Sequence, residues 1–391
     1  MAIIGIDATA LSTSVCGGIG TAQYQTMRAL AEMDASHQFL LYALSPPLVP
    51  FSQHPLDLPW RVRLGSGPLA RSNIVWMQTG VNSLLAADHV EVFWGPRHLL
   101  PFRARGIGKV ATVHDFWDRY FPDQQPWLNR TVNRLLIEKV IAHADVVVAP
   151  SGATARDAAR FVGAVPGSVR VVQWGVDPAV FRPLPAAQVA AVLARLGINS
   201  PYLVSLDVLN PRKNFFAVLE SISKLPESIR TAMTAVGLGG PRRTFSAADL
   251  KARAAALGLH ERLCLVGDVS SDDLVALYSG ALALVYPSVY EGFGMPVLEA
   301  MACGCPVITA DRSSLPEVAG DAALLVDPTS AEQLAQAIAL VATDSAERAR
   351  LAVAGSARVK GFTWRRTAEE MMAAFEQALA SRADSAARCA R

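Results

Sequence analysis

The amino-acid sequence predicts an α/β protein with two domains, each built on a parallel sheet that carries helices on both faces. The chain has 391 residues, which exceeds the usual size of one domain and suits two domains with large cores. Short apolar runs typical of buried strands alternate with helical segments through most of the chain. Residues 175–185 interrupt this alternation with three prolines, which indicates a connection between the domains.

Each predicted strand is a short run rich in apolar residues, and each predicted helix is a longer segment with helical periodicity. In the first domain the predicted strands are residues 3–6, 38–42, 90–93, 109–113 and 145–148. The predicted helices of that domain are residues 20–32, 70–86, 128–142 and 151–161. In the second domain the predicted strands are residues 202–206, 231–236, 263–266 and 282–286, and the predicted helices are residues 215–223, 247–257 and 271–278. Alanine-rich helices are predicted at residues 331–342 and 347–359, and a last helix from residue 363 onward.

The composition is that of a globular protein, with 51% apolar and 18% charged residues. No apolar run reaches the ~18 residues that a membrane span requires. The first residues read as a strand and lack the basic flank and long apolar stretch of a secretory signal, so we expect a cytoplasmic protein. The net charge of +2 gives no reason to expect a nucleic acid or another polyanion as a partner.

The cysteines indicate neither disulfides nor a metal site. The five of them, Cys16, Cys264, Cys303, Cys305 and Cys389, lack the paired spacing of a disulfide framework or a zinc site. Cys303 and Cys305 flank a glycine in an apolar stretch, so we expect both to be reduced core residues. No metal ligand is predicted.

The strongest candidate site lies between Glu291 and Glu299, two carboxylates eight positions apart across a glycine-rich turn. Pro296 fits the first position of a helix, which places Glu299 about one turn inside that helix and Glu291 on the loop before it. One carboxylate can accept hydrogen bonds from sugar hydroxyls and the other from ribose hydroxyls, while the amides of residues 292–295 serve sugar or phosphate oxygens. The alternative is a glycine loop with one solvated and one capping glutamate.

Two further segments follow the first strand of each domain, where Rossmann-type folds bind ligands. Arg212 and Lys213 lie between a predicted strand and a predicted helix, and a guanidinium beside an ammonium suits a diphosphate. The alternative for this pair is a solvated basic surface. Gly17, Gly18 and Gly20 open the first helix, where backbone N–H groups can approach a phosphate. The alternative for these glycines is a tight turn from strand to helix.

His114 ends a predicted strand of the first domain, at the sheet edge where ligands bind. A histidine there can hydrogen-bond a hydroxyl or stabilise a leaving phosphate, and the alternative is a polar residue satisfied within the fold. Five rings of this domain can line an acceptor groove, and the alternative is that they pack in the core. They belong to Trp94, His98, Phe116, Trp117 and Tyr120.

The predicted helix at residues 129–142 mixes basic and apolar side chains. These are Arg130, Arg134 and Lys139 beside Leu135, Leu136 and Val140. Such a helix can lie on an anionic membrane, and a solvated amphipathic helix is the alternative.

These motifs together resemble the hallmark of the family-4 retaining glycosyltransferases of GT-B fold. The segments that carry the resemblance are, in chain order, Gly17-Gly18-Ile19-Gly20, His114-Asp115, Gly175-Val176-Asp177, Pro211-Arg212-Lys213-Asn214, Tyr286-Pro287-Ser288, Glu291-Gly292-Phe293-Gly294-Met295-Pro296, Glu299-Ala300-Met301-Ala302-Cys303-Gly304, Pro306-Val307, Leu315-Pro316-Glu317-Val318 and Phe362-Thr363-Trp364. The resemblance spans nearly the whole chain, and the pair of glutamates is its most specific part.

The resemblance implies a fold and a division of the chain. The fold is GT-B, in which two Rossmann-like domains face each other across an interdomain cleft. Residues 1–180 would form an acceptor-side domain and residues 181–361 a domain that binds the nucleotide sugar. Residues 362–391 would form a C-terminal helix that packs back on the N-terminal domain.

The resemblance also implies which residues act. The implied catalytic residues are His114, Arg212, Lys213 and Glu291. The implied donor-binding residues are Gly17, Gly18, Gly20, Phe293, Gly294, Met295 and Glu299. In these roles Arg212 and Lys213 would hold the donor diphosphate. Glu299 would bind the nucleotide ribose, Glu291 would contact the donor sugar, and His114 would lie near the transferred sugar.

The implied activity is transfer of a hexose, with retention of configuration, from a nucleotide diphosphate sugar to a saccharide or lipid-linked acceptor. The donor would be GDP-mannose or a dTDP- or UDP-sugar, because the first domain resembles mannosyl- and rhamnosyltransferases of bacterial surface polysaccharides. The family needs no metal or other cofactor, which agrees with the absence of an Asp-x-Asp motif. Such an enzyme would work in the cytoplasm, with peripheral contact to the inner face of the membrane. The alternatives are a nucleotide-sugar epimerase and a non-catalytic subunit that binds a sugar nucleotide.

Two positions depart from the family pattern. The family usually has glycine at the position of Asp207, five residues before Arg212, where a carboxylate can crowd the diphosphate or pair with Arg212. The family also often has asparagine at the position of Trp174, whose ring can pack at the hinge.

Overall fold

The computed structural model describes residues 1–12, 17–33, 36–50, 52, 54–66, 72–124, 127–165, 168–239 and 246–389, without the side chains of residue 124 and residues 384–389. The chain forms two compact units. The first consists of Met1–Gly175 with Trp364–Arg391, and the second of Val176–Thr363.

A parallel sheet forms the centre of the first unit. Its strands among the described residues are β1 (Ile3–Asp7), β2 (Gln38–Ala43), β3 (Arg61–Leu64), β4 (Val92–Gly95), β5 (Gly108–Thr112), β6 (Val146–Ala149) and β7 (Val169–Val171). Their order across the sheet is β3-β2-β1-β4-β5-β6-β7. Strands β4 and β6 are buried along their whole length, because helices cover both faces of a parallel sheet.

Helices surround this sheet. They are α1 (Gly17–Glu32), α2 (Asn73–Gln78), α3 (Gly80–Ala87), α4 (Trp117–Tyr120), α5 (Trp127–His143), α6 (Gly152–Val162) and, at the end of the chain, α16 (Trp364–Cys389). Local chemistry sets their ends: the side chain of Ser151 accepts the Thr154 N–H over 3.1 Å at the start of α6, and Gly163 ends α6 in the left-handed region. Helix α16 packs against α1 and β5.

The second unit repeats the arrangement. Its strands are β8 (Tyr202–Leu206), β9 (Thr234–Leu238), β10 (Leu263–Val266), β11 (Ala283–Tyr286), β12 (Val307–Ala310) and β13 (Leu324–Val326), and they form a parallel sheet in the order β10-β9-β8-β11-β12-β13. Its helices are α7 (Ala186–Leu196), α8 (Phe215–Ser223), α9 (Glu227–Arg230), α10 (Ala247–Ala256), α11 (Ser271–Gly280), α12 (Met295–Ala302), α13 (Leu315–Ala319), α14 (Ala331–Thr343) and α15 (Ser345–Arg358). Short 3₁₀ turns across both units are Thr9–Leu11, Pro122–Gln124, Pro211–Lys213, His260–Arg262, Gly320–Ala322 and Val359–Gly361.

The predicted α/β class with two parallel sheets is confirmed, and β8, β10 and α8 have the predicted bounds. The prediction of one helix at residues 70–86 is wrong, because Thr79 leaves helical geometry and separates α2 from α3. Residues 70 and 71 lie outside the described part of the chain. The predictions also omitted β3, β7, β12 and β13. Among the described residues, no helix is both long and apolar enough to cross a membrane.

Both sheets contain a point where the strand order reverses. In the first unit, the chain runs outward from β1 through β2 and β3, and then returns to place β4 on the other side of β1. In the second unit, β8 and β11 flank the corresponding point. In open parallel sheets, ligands bind in the crevice beyond the carboxyl ends of such strands. Gly17, Gly18 and Gly20 follow β1, and the candidate residues of the second unit follow β8 and β11, whereas His114 follows β5.

Candidate functional site

The segment after β8 carries the two basic residues of the site. Asn210 shapes it, because its side-chain oxygen accepts the backbone N–H of Arg212 over 3.1 Å at the start of the 3₁₀ turn Pro211–Lys213. Asn214 follows with a φ of +59°, a left-handed conformation that asparagine tolerates, and α8 begins at the next residue. From this turn, the side chains of Arg212 and Lys213 both contact the loop that follows β11.

Glu291, on the loop after β11, joins both cations. Its Oε2 accepts from Nη1 of Arg212 over 2.9 Å, and its Oε1 accepts from Nζ of Lys213 over 2.6 Å. Oε1 also accepts from the hydroxyls of Ser288 at 2.6 Å and Tyr286 at 3.0 Å. Lys213 in turn donates to the Tyr286 hydroxyl and lies over that ring, 4.6 Å from its centroid. The carboxylate is therefore held by four donors from two neighbouring segments.

The cluster is buried, and its charges set the ionisation of the carboxylate. Glu291 is 7% exposed and Lys213 is 9% exposed. Burial alone would raise the pKa of Glu291, but the charges of Arg212 and Lys213 outweigh it and hold that pKa at about 2. Neither the basic pair nor Glu291 is a solvated surface feature, so those two alternative interpretations are wrong.

Two serines fix the backbone of the loop that carries Glu291. The hydroxyl of Ser313 accepts the N–H of Glu291 over 2.9 Å. The hydroxyl of Ser314 lies within hydrogen-bond distance of the carbonyls of Glu291, at 2.9 Å, and Phe293, at 2.7 Å. Sequence reasoning missed both serines, because they follow β12 and reach the site only through the pairing of β11 with β12.

Gly294 makes the turn from this loop into α12. Its φ of +111° is a conformation that residues with a side chain rarely adopt, and an added Cβ would lie 2.8 Å from Cδ2 of Leu315. The N–H groups of Gly294 and Met295 lie at the N-terminus of α12, where the helix itself supplies no acceptor and its dipole favours negative charge. The first turn of α12 is thus suited to a sugar or phosphate oxygen.

Glu299 lies on α12, about one turn after Met295, as the sequence predicts. Its carboxylate is partly buried and accepts the hydroxyl of Tyr278 over 3.4 Å. Burial raises the pKa of Glu299 to about 7, and the hydrogen bond from Tyr278 only partly opposes that rise. The two glutamates of the motif therefore have pKa values shifted in opposite directions.

Asp207 occupies the position where the family usually has glycine, and its backbone explains that preference. Its φ is +51°, in the left-handed region that glycine adopts without strain. Its carboxylate accepts from the side-chain amide of Asn210 over 2.9 Å. Asp207 thus lies beside the basic turn and stabilises the same asparagine that shapes it.

In the first unit, His114 follows β5 and is 5% exposed. Its Nε2 is hydrogen-bonded to the carbonyl of Pro96, so Nε2 carries the ring proton and Nδ1 is an acceptor. The rings of His98 and Trp174 lie 5.6 Å and 5.4 Å from its centroid. Burial, with His98 adding to it, lowers the pKa of His114 to about 4. At neutral pH the ring is uncharged and can act only through hydrogen bonds.

A cavity of about 20 Å³ lies beside His114, enough to hold a water molecule. Gln23 of α1 lines it and is 3% exposed, with its amide N–H donating to the carbonyl of Asp7 over 2.7 Å. Within the described residues, the Gln23 side-chain oxygen and Nδ1 of His114 have no hydrogen-bond partner. Sequence reasoning missed Gln23, because nothing in its local pattern marks it as different from other polar residues of α1.

The other candidate residues described in the first unit are three glycines and two aromatic residues. Gly17 starts α1 with a φ of +53°, Gly18 is exposed, and Gly20 is buried. Trp94 and Phe116 are 3% and 0% exposed, so both are core residues. The structure thus brings Arg212, Lys213 and Glu291 into one cluster in the second unit, with Phe293, Gly294, Met295 and Glu299 on the same loop and helix. His114, Gly17, Gly18 and Gly20 belong to the first unit.

Among the cysteines, Cys303 and Cys305 are buried free thiols, as predicted, and Cys264 is a partly buried free thiol. Cys16 and the side chain of Cys389 lie outside the described residues. Burial raises the pKa of Cys303 to about 12, which leaves that thiol protonated and unreactive.

Comparisons with known proteins match both halves of the chain. The family model described as "Glycosyltransferase Family 4" matches residues 16–180, and the one described as "Glycosyl transferases group 1" matches residues 194–358. O-antigen chain mannosyltransferase B of Escherichia coli is 28% identical over 287 residues, which is 73% of this chain and 74% of that protein. A D-inositol 3-phosphate glycosyltransferase of Salinispora tropica is 32% identical over 255 residues, which is 62% of this chain and about half, 53%, of that protein. The structure of sucrose-phosphate synthase from Thermosynechococcus elongatus has the same fold, with a TM-score of 0.78 at 22% identity over 97% of this chain and 100% of that one.

Proposed function

The chain belongs to the family-4 glycosyltransferases of GT-B fold, and we propose that it moves a sugar, with retention of configuration and without a metal ion, from a nucleotide diphosphate sugar to a saccharide or lipid-linked acceptor. One observation carries the proposal: Arg212, Lys213 and Glu291 form a single buried cluster beyond β8 and β11. That crevice is where parallel sheets bind nucleotides.

The cations of the cluster suit a departing diphosphate. Arg212 and Lys213 carry two positive charges against the single charge of Glu291, so the cluster keeps a net positive charge for the donor. Glu291 and the Tyr286 hydroxyl accept from two protons of the Lys213 ammonium, and among the described residues none accepts the third. We assign that third proton to a diphosphate oxygen. Preorganised donors of this kind supply charge stabilisation that other glycosyltransferases obtain from a metal ion.

The acceptor proton needs a base on the same face as the departing diphosphate if configuration is retained. In the proposed step the bond between C1 and the diphosphate oxygen breaks, the acceptor oxygen bonds to C1, and the acceptor proton passes to the diphosphate. A double displacement through an enzyme carboxylate is the alternative. Glu291 is a poor nucleophile for it, because four donors occupy its oxygens and its pKa is about 2.

The other residues take supporting roles in this proposal. Glu299 accepts from the ribose hydroxyls, and the amides of Phe293, Gly294 and Met295 serve the donor sugar and diphosphate. His114 accepts a sugar hydroxyl at Nδ1 and does not stabilise phosphate by charge, because its ring is neutral. Gly17, Gly18 and Gly20 expose the N-terminus of α1 to a phosphate or acceptor oxygen.

The relatives support two acceptor classes. Similarity to O-antigen chain mannosyltransferase B supports a mannose donor and a polysaccharide acceptor. Similarity to D-inositol 3-phosphate glycosyltransferases supports a phosphorylated polyol as the second candidate acceptor. GDP-mannose is the first donor to test, followed by dTDP- and UDP-sugars.

The test is thermal stabilisation by each nucleotide sugar, with and without EDTA, followed by product analysis with both acceptor classes. A ligand at about 100 times its dissociation constant adds about 2.7 kcal/mol to the native state, so the correct donor should separate clearly from the others. We expect one donor to stabilise the protein equally with and without EDTA, and the product to keep the anomeric configuration of the donor by NMR. Epimerised donor formed without acceptor would favour the epimerase, and tight donor binding with no product on any acceptor would favour the non-catalytic subunit.

A further inference from the structure

Three buried polar side chains meet at the cavity beside His114 in the first unit. Gln23 of α1, Thr112 at the end of β5 and His114 all line it, and Thr112 is 5% exposed, as His114 is. Most of the other lining residues are apolar, and Val148 and Met371 are among them. The cavity therefore has a small polar centre within a largely apolar wall.

Each of these three side chains has one hydrogen-bonding position to spare. Oε1 of Gln23 and Nδ1 of His114 have no partner among the described residues, and both are acceptors, because His114 carries its proton on Nε2. The Thr112 oxygen accepts from Nε1 of Trp94 over 3.0 Å. In the described part of the chain, the hydrogen of the Thr112 hydroxyl has no acceptor. The cavity thus offers one donor and two acceptors to an occupant.

A water molecule matches this set in both chemistry and size. Water can donate to both acceptors and still accept from a hydroxyl. An alcohol donates only once and would leave one acceptor unpaired, and an ammonium ion cannot accept. The cavity volume of about 20 Å³ exceeds the ~10–15 Å³ that one water needs and is too small for two. Buried waters in proteins typically make about three hydrogen bonds, which is the number available here.

We propose that this cavity binds one water molecule, which donates to Oε1 of Gln23 and Nδ1 of His114 and accepts from the hydroxyl of Thr112. Gln23 and Thr112 are then positioning residues for His114, because they act on its ring through the water. With Nε2 bonded to the Pro96 carbonyl and Nδ1 to the water, the ring is held in one orientation and one tautomer.

This water site goes beyond the proposed transfer reaction and does not rest on it, because the site exists in the protein without a donor. A sugar hydroxyl that donates to Nδ1 during transfer would take the place of the water. A dry cavity in an active transferase would therefore overturn this inference alone.

The first experiment is a crystal structure of the full chain, and of its variants, at a resolution that shows ordered water. We expect a water within about 3.2 Å of Oε1 of Gln23, Nδ1 of His114 and the Thr112 oxygen. Gln23→Leu should lose this water, because leucine is similar in size and has no acceptor. Gln25→Leu is the matched control, since Gln25 lies on α1 and does not line the cavity, and it should keep the water. An empty cavity in the parent, or a water that Gln23→Leu retains in place, would overturn the proposal.

Thr112 provides a second pair of variants. Thr112→Ser keeps the hydroxyl and should keep the water, whereas Thr112→Val should lose it. Valine also leaves the N–H of Trp94 without its acceptor. If that variant does not fold, Gln23→Leu and Thr112→Ser still decide the outcome.

Histidine ¹⁵N NMR tests the effect on the ring, which a change in stability alone would not produce. A hydrogen bond donated to Nδ1 moves its resonance upfield from that of a free lone pair. The His114 signal is identified by its absence from the spectrum of His114→Asn. We expect it to move downfield in Gln23→Leu and to stay in place in Thr112→Ser and Gln25→Leu. An unchanged resonance in Gln23→Leu would show that Gln23 does not position His114.

Discussion

Lys213 donates from Nζ to Oε1 of Glu291 over 2.6 Å, across a separation of 78 residues in the chain. Both groups are buried, and Arg212 adds a second cation on the other carboxylate oxygen. Removing one partner of such a cluster leaves charge in a low-dielectric site without compensation, which costs far more than the loss of a surface pair. If these side chains hold the donor as we propose, the stability of the second unit and its affinity for a diphosphate depend on the same three residues.

The first prediction concerns acid stability. The folded-state pKa of Glu291, about 2, lies below its ordinary value of 4.5, so its stabilisation is complete above about pH 5 and is lost as the pH falls toward 2. Glu291→Gln should lower the free energy of unfolding at pH 7 by roughly 3 kcal/mol and reduce the slope of stability against pH between pH 5 and 3. Urea unfolding across that range measures both. Glu261→Gln, at a residue whose side chain is 77% exposed, is the control and should change neither.

The second prediction concerns turnover. Lys213→Ala removes the ammonium proton that we assign to the leaving diphosphate, and kcat should fall by ~100- to 1000-fold, as it does when one preorganised donor is lost. Lys224→Ala is the matched control, because Lys224 forms an exposed pair with Glu332 over 2.6 Å in the same unit. Its kcat should stay near that of the parent. A near-normal kcat in a folded Lys213→Ala protein would show that Lys213 does not stabilise the leaving diphosphate.

Much of the fold follows from local patterns, and the omissions have physical causes. Strands β8 and β10 are isolated apolar runs between polar segments, so their bounds are visible. Strands β3 and β7 are short edge strands that lack a fully buried run, and arginines within them weaken the apolar pattern. Strand β12 is buried, but it follows the apolar end of α12 almost directly, so periodicity does not separate the two.

The residue types of the candidate site are visible in the sequence, whereas the hydrogen bonds that connect them are not. The glutamate pair and the basic pair are visible because carboxylates at a glycine turn and cations after a strand are unusual in sequence. That Arg212 and Lys213 donate to Glu291, and that Ser313 accepts its N–H, depends on how β11 lies between β8 and β12. Such contacts join residues by sheet order, which local patterns do not specify.

The third prediction concerns Glu299, whose pKa is raised to about 7. Because the folded-state pKa lies above the ordinary 4.5, ionisation of Glu299 costs stability, and the cost grows between about pH 4.5 and pH 7 and is complete above that range. Glu299→Gln should therefore stabilise the protein at pH 8, by roughly 3 kcal/mol at most, and leave its stability at pH 4 unchanged. Chemical unfolding at both pH values measures this, and an equal effect at pH 4 and pH 8 would contradict it. The opposite sign for Glu291→Gln in the same experiment provides the internal comparison.

The fourth prediction concerns the turn at Gly294. Alanine there must adopt a φ of +111° and place its Cβ 2.8 Å from Cδ2 of Leu315. We expect Gly294→Ala to destabilise the second unit by about 2 kcal/mol, or roughly 4–8 °C in melting temperature. Gly267→Ala is the control, because its added Cβ would meet no atom within 4 Å. Calorimetry of both variants measures the difference, and equal melting temperatures would show that the turn relaxes without strain.

The fifth prediction concerns Asp207, which lies beside the basic turn. Burial lowers the pKa of Lys213, and the negative charge of Asp207 partly opposes that lowering. That negative charge should also repel a diphosphate, so Asp207→Asn should bind a nucleoside diphosphate about 2- to 10-fold more tightly. Asparagine tolerates the φ of +51°, so this variant removes the charge and keeps the turn. Asp207→Gly removes the same charge and relaxes the backbone, and the two variants should therefore bind alike by titration calorimetry. Tighter binding by Asp207→Gly alone would show that backbone strain at residue 207, and not its charge, weakens binding. Weaker binding by both variants would show that the carboxylate helps to hold the donor through Asn210.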